Sequence, residues 1–180
     1  ERWTLKIALD VMGGDNAPRA AIQGGVMAAK EYGEEVLLVG DENTIQLILK
    51  ELNAENTPGI TIVHAPDAVD MHDDPATVLR QKPQSSMAIA LGMVRDGKAD
   101  AIVSAGSTGA LLSGATLLCK RIKGIRRGAV APLIPCAGGQ VMLVDAGANT
   151  ECTPEYLLQF AFMGSFYAEK IRGIAKPRVG

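Results

Sequence analysis

The sequence predicts an α/β fold, a three-layer α/β/α sandwich built on a mostly parallel sheet. Three observations carry that expectation. Short apolar runs alternate along the chain with longer stretches of helical periodicity. The runs are apolar almost throughout, as strands are when helices cover both faces of a parallel sheet. The chain has 180 residues, 47% of them hydrophobic, and a domain of that size buries roughly 70% of its unfolded surface, so the core needs no disulfide or metal staple.

Leu5 to Val11 reads as the first strand, with Gly13-Gly14 following Met12. Ala20 to Tyr32 is a helix behind Pro18, with Ile22, Val26 and Ala29 on one face. Val36 to Val39 is a buried strand closed by Gly40. Thr44 to Leu52 is a helix capped by Asp41 or Asn43, with Ile45, Leu49 and Leu52 at helical spacing. Pro58-Gly59 turns the chain into a strand at Ile60 to Val63. Ser86 to Asp96 is a helix with Ala90 and Val94 inward, stopped by Asp96-Gly97. A strand at Asp100 to Ser104 leads to a helix at Thr108 to Arg121. Ala129 to Leu133 and Val141 to Asp145 are strands, and Pro132 to Gly139 is an irregular excursion. Thr153-Pro154-Glu155 is a helix start: a capping hydroxyl, Pro at the first helical position and an acid in the first turn. That helix runs to about Arg172, with Leu157, Phe160, Gly164, Tyr167 and Ile171 on one side, a stripe that core packing or a dimer face would explain. No repeat or linker divides the chain, so residues 1–180 read as a single α/β domain or as the N-terminal portion of a longer one. Pro177 to Gly180 looks like the entry to another strand, which favours the longer protein.

Charge and cysteine usage exclude several classes. The balance is 18 Lys+Arg against 20 Asp+Glu, whereas a nucleic-acid protein shows a basic face or stripe. Aromatic residues are 4%, too few for the stacking platforms of single-strand binders. No apolar run approaches about 18 residues, so no transmembrane helix is expected. Glu1 to Lys6 lacks a signal-peptide pattern. Cys119, Cys136 and Cys152 are an odd set without a C-x-x-C pair and suit free thiols in a reducing cytoplasm. None has a His neighbour in a motif, so they read as packing residues rather than nucleophiles.

Ligands of open parallel sheets bind beyond the carboxyl ends of the strands. Three unusual loops are expected there. Met12 to Pro18 offers Gly13 and Gly14 for close backbone approach, with the carboxylate of Asp15 and the amide of Asn16. Ser104 to Ala110 places Gly106, Ser107, Thr108 and Gly109 at a helix start, where free amides and hydroxyls suit an anion. Asp145 to Asn149 is the third. Neither G-x-x-x-x-G-K-[ST] nor a G-x-G-x-x-G after the first strand is present, which disfavours an ATPase or an ordinary dinucleotide enzyme. Arg80, Lys82 and Ser85-Ser86 precede a helix, either as a solvated loop with its cap or as a phosphate clamp. Asp70, His72, Asp73 and Asp74 match no metal-ligand spacing and read as a solvated acidic loop. His64, at a strand end, reads as an ordinary half-buried imidazole.

Several separated motifs agree on one resemblance: MGGDNAP after the first strand, DDPATVLRQKPQSSM at Asp73 to Met87, ADAIVSAGSTGALL at Ala99 to Leu112, RIKGI at Arg121 to Ile125, LVDAGAN at Leu143 to Asn149 and MGSFYAEKIRGIAKPRVG at Met163 to Gly180. From about Lys6 onward the chain closely resembles the phosphate acyltransferases of bacterial fatty acid and phospholipid synthesis. Ser107 stands where that family usually has Asn, which keeps a small polar group. Family members are much longer, and their C-terminal portion adds strands, part of the site and a helical element associated with membrane contact and dimerisation.

The resemblance implies the fold of isocitrate and isopropylmalate dehydrogenases. It implies attack of inorganic phosphate on the thioester of a long-chain acyl group carried by acyl carrier protein, on the way to phosphatidic acid. It implies a cytoplasmic homodimer with peripheral contact at the inner face of the membrane through segments absent here, and no cofactor or metal. On this reading Asp15, Asn16 and Thr108 act in catalysis. Gly14, Arg80, Lys82, Ser86, Gly106, Ser107, Gly109, Asp145 and Asn149 bind substrate. Arg121, Lys123, Arg126 and Arg127 form either a docking patch for the carrier protein or a solvated run. The alternatives are a phosphate acetyl- or butyryltransferase using coenzyme A and a non-catalytic fragment that binds the carrier protein.

Overall fold

A computed structural model of the chain describes residues 4–180. The expectation for Glu1 to Lys6 therefore falls partly outside the described residues. The chain divides into two compact units, Glu1–Lys120 and Arg121–Gly180.

In the first unit, β1 (Lys6–Asp10), β2 (Glu35–Gly40), β3 (Ile60–His64) and β4 (Ala101–Ser104) form one sheet in the order β3-β2-β1-β4. Every neighbouring pair is parallel. β2 explains the unbroken apolar run, since Val36 to Gly40 are all buried. Its side chains alternate between two cores, as a pleated strand requires. Val36 and Leu38 pack with Ile22, Val26 and Ala29 of α1 (Arg19–Tyr32) and with Ile45, Ile48 and Leu49 of α2 (Glu42–Glu51). Leu37 and Val39 join Ala8, with Ala90, Ile89 and Val94 of α4 (Ser86–Arg95) packed in the same cluster. Helices thus cover both faces of the sheet, the layered α/β arrangement that the apolar strands predict.

Local signals set the element boundaries. Asp41 caps α2, its carboxylate accepting from the Thr44 amide at 2.8 Å. Ser85 caps α4 by accepting from the Ala88 amide at 3.4 Å. The short α3 (Val78–Gln81) lies in the stretch read as a loop. The helix expected over Thr108 to Arg121 is α-helical only as α5 (Thr108–Gly114) and continues as a π-helical stretch over Ala115–Cys119. His64 is exposed rather than half-buried, and its Nδ1 accepts from the Glu42 amide at 3.3 Å.

The second unit departs further from expectation. The runs at Ala129 to Leu133 and Val141 to Asp145 do not form sheet strands of those bounds. Instead β5 (Leu133–Cys136) pairs antiparallel with β6 (Gly139–Met142), Cys136 opposite Gly139. The stretch read as an irregular excursion is mostly this hairpin. Two β-prone runs separated by a short turn close on each other without the crossover that parallel pairing demands. α6 (Pro154–Lys170) starts where predicted, with Thr153 Oγ1 accepting from the Tyr156 amide at 3.4 Å. Of its expected stripe only Phe160 is buried; Leu157, Tyr167 and Ile171 are exposed. The three cysteines are free and exposed, not packing residues. Among the described residues no helix is long and apolar enough to cross a membrane.

Candidate functional site

The sheet order creates one topological switch point. From β1 the chain moves outward through β2 and β3, then returns to place β4 on the other side of β1. Crevices at such points, beyond the strand carboxyl ends, are where open α/β sheets bind ligands. The loops leaving β1 and β4 meet here. A Cβ added to Gly13 would lie 2.9 Å from Gly106 Cα, so the two loops pass backbone against backbone because both positions are glycine. Gly14, at φ +108°, holds a conformation that L side chains rarely adopt and lies against Ala105.

Under this contact sits a carboxylate that the sequence reading passed over. Asp10, the last residue of β1, is 2% exposed. Ser86 Oγ donates to its Oδ1 at 2.6 Å, and Ser104 Oγ donates to its Oδ2 at 2.7 Å. The Met12 amide donates to Oδ1 at 3.2 Å. Ser104 Oγ in turn accepts from the Gly106 amide at 3.1 Å. Asp10 and Ser104 are register partners across the β1–β4 ladder. The available signal was an acid and a hydroxyl ending two otherwise apolar runs.

The structure sorts the expected site residues into groups. Gly14, Gly106, Ser107, Thr108, Gly109, Asp15 and Asn16 belong to the two switch-point loops. Asp15, Asn16 and Thr108 are exposed, and among the described residues their side chains have no hydrogen-bond partner. Ser107 is buried and caps α5, accepting from the Ala110 amide at 3.3 Å, a role that Asn fills as well. Ser86 is 1% exposed, and its hydroxyl proton goes to Asp10. Gly109 lies against Pro75, which brings the 73–77 segment beside the start of α5. Lys82 is committed elsewhere: its Nζ lies 2.7 Å from Asp73 Oδ2 and 3.2 Å from the Ala68 carbonyl. The hydrogen bond to Asp73 raises the Lys82 pKa and lowers that of Asp73. Arg80 is exposed, with no ion pair among the described residues. Among the described residues no group of three or more His, Cys, Asp or Glu side chains is placed to hold a metal ion.

Asp145 and Asn149 lie in the second unit and bind each other. Asp145 Oδ1 accepts from the Val130 amide at 2.8 Å, and its Oδ2 accepts from the Asn149 amide at 2.8 Å and from Asn149 Nδ2 at 2.9 Å. Asn149 Nδ2 also donates to the Gly128 carbonyl at 3.0 Å. Burial acts to raise the Asp145 pKa, but the bonds from Val130, Asn149 and Ala148 outweigh it and hold the carboxyl below the ordinary 3.8. A carboxyl lowered by folding stabilises the fold above its unfolded value, and that contribution is lost as pH falls through the folded value. Asp145→Asn is therefore expected to flatten the acid limb: between about pH 4 and pH 2 the urea midpoint drops less for the variant than for the parent. Parallel acid limbs would refute this.

The chain matches the model of the family described as "Fatty acid synthesis protein" over residues 5–180. The phosphate acyltransferase of Desulforamulus reducens is 49% identical over 177 residues, which are 98% of this chain and 52% of that protein. That of Pelotomaculum thermopropionicum is 49% identical over 98% of this chain and 51% of its own length. That of Herpetosiphon aurantiacus is 46% identical over 98% of this chain and 48% of its own length. The chain thus spans about half the length of these curated relatives. With the switch-point loops and the second-unit Asp145–Asn149 loop inside the matched region, the chain belongs to the fatty acid synthesis protein family.

Proposed function

We propose that this chain serves acyl transfer to inorganic phosphate, the acyl donor being a long-chain thioester of acyl carrier protein. A phosphate oxygen attacks the thioester carbonyl, the C–O bond forms, the C–S bond breaks, and the released thiolate takes up a proton. The acyl phosphate then feeds glycerol-3-phosphate acylation. One observation carries the proposal: the switch point presents unpartnered polar groups at its mouth, in a chain similar to phosphate acyltransferases. Among the described residues the side chains of Asp15, Asn16 and Thr108 have no hydrogen-bond partner there. Among the described residues the amides of Ser107, Thr108 and Gly109 also have no acceptor, while the Gly106 amide is taken by Ser104 and the Ala110 amide by Ser107.

Phosphate is already a nucleophile at neutral pH, so the work left to the protein is placement and stabilisation of the tetrahedral oxyanion. The three free amides and Thr108 Oγ1 suit an anion. Asn16 would donate to the developing oxyanion, and Asp15 would orient the reactants. Arg80 is available to neutralise phosphate, whereas Lys82 must exchange Asp73 for it. Asp145 and Asn149 would organise their own loop of the second unit, and Arg121, Lys123, Arg126 and Arg127 would meet the acidic carrier protein. The test is release of carrier-protein thiol from long-chain acyl carrier protein, with and without phosphate and with acyl-coenzyme A as the competing donor. Asn16→Ala and Thr108→Ala are each expected to slow phosphate-dependent release by about 100- to 1000-fold with unchanged circular dichroism. Near-normal turnover in both removes these roles, and release that ignores phosphate overturns the reaction.

A further inference from the structure

We propose that Asp10 is a positioning residue of the switch-point site, which it holds in register through Ser104 and Ser86. The inference rests on the reading of this site as an anion-binding one. Asp10 is 2% exposed, and among the described residues no cation pairs with it. A buried carboxylate supported only by neutral donors is costly compared with an apolar or amide residue of similar size. What a carboxylate alone supplies is direction, since it can only accept hydrogen bonds. Both serine hydroxyls must therefore donate inward, Ser86 at 2.6 Å and Ser104 at 2.7 Å. The lone pairs of Ser104 Oγ are then turned outward, and one of them takes the Gly106 amide at 3.1 Å.

That last bond begins the turn whose next amides, those of Ser107, Thr108 and Gly109, are free among the described residues. The other side of the carboxylate fixes the opposite loop. The Met12 amide donates to Oδ1 at 3.2 Å, and Gly13 packs directly on Oδ2. One side chain thus ties together the start of the β1 loop, the start of α4 and the β4 turn. Asn at this position would offer one acceptor and one donor. It would force one of the two serines to reverse, and reversal of Ser104 sets its proton against the Gly106 amide.

The experiment uses the whole chain and inorganic phosphate. Amide resonances of Ser107, Thr108 and Gly109 are followed during phosphate titration, and hydrogen exchange of the Gly106 amide is measured in parallel. Asp10→Asn and Ser104→Ala are each expected to weaken phosphate binding about tenfold or more and to speed Gly106 exchange by a similar factor. Ser104→Thr, which keeps the hydroxyl, restores both. The double variant loses less than the product of the two single losses, because both act on the Ser104–Gly106 bond. In the thiol-release assay the same variants raise the KM for phosphate and leave that for the acyl donor unchanged. Unchanged phosphate affinity in Asp10→Asn, or failure of Ser104→Thr to rescue, overturns the assignment; should Asp10→Asn not fold, the Ser104 pair decides it. Phosphate binding that depends on Asp10, together with thiol release that ignores phosphate, would refute the acyl-transfer reading and leave this inference standing. Absence of phosphate binding in the parent chain refutes the inference itself.

Discussion

Leu38→Ala is expected to lower the unfolding free energy by about 2–5 kcal/mol. Leu38 is fully buried, on a strand flanked on both sides by others. It lies in register with Leu9 of β1 and Ile62 of β3. Its side chain enters the cluster made by Ile22, Val26, Ile45, Ile48 and Leu49. α1 cannot settle into the void, because Gly25 already brings its backbone onto this surface: a Cβ there would lie 3.0 Å from Leu38 Cδ2. The lost transfer energy and the cavity therefore add. Leu47 of α2 is the control, since it is 59% exposed and Leu47→Ala should change stability by less than about 0.5 kcal/mol. Urea unfolding followed by circular dichroism separates the two variants. Equal midpoints would show that β2 is not the centre of the core.

Gly13→Ala is expected to damage the site more than the fold. The new methyl would meet Asp10 Oδ2 at 2.8 Å and Gly106 Cα at 2.9 Å, and neither can give way freely. One is held by Ser104 and the other is backbone. Overpacking of this kind costs about 1–3 kcal/mol. A shift of about 1 Å between the loops is enough to cost some 100-fold in a reaction that depends on placement, so the proposed phosphate-dependent thiol release should fall by about that factor. Gly24→Ala gives the contrast. Nothing lies within 4 Å of a Cβ there, in the middle of α1, and the substitution should stabilise by up to about 1 kcal/mol. If both variants kept full turnover, the loop contact would have no part in the activity.

Much of the first unit was legible because its signals are local. The run Val36 to Val39 is apolar on both faces, and both faces prove buried. The periodicity of Ile22, Val26 and Ala29 marks the buried side of α1, and the cap at Asp41 marks the start of α2. The second unit was less legible. Its apolar runs foretold strands, but run composition carries no information on which partner a strand takes or in which direction. The hairpin at Leu133–Cys136 and Gly139–Met142 followed from that freedom. The helix after Thr108 kept its apolar pattern while its hydrogen bonding changed to π over Ala115–Cys119, and no residue type announces that change.

The candidate site divides in the same way. Loops rich in glycine, with Asp15, Asn16 and Thr108 on them, could be read as ligand loops because small residues and helix starts have known uses. What each hydroxyl does there could not. Ser86, Ser104 and Ser107 are chemically alike in the sequence, yet two donate to Asp10 and one caps α5. Asp10 is 76 residues from Ser86 and 94 from Ser104, and the sheet order makes them neighbours. The sequence by itself determined the four strands of the first unit and the buried faces of α1 and α2. Tertiary structure alone decided which polar groups are consumed by the protein and which stay free, because a hydrogen bond depends on the partner the fold brings within 3 Å, not on the residue that offers it.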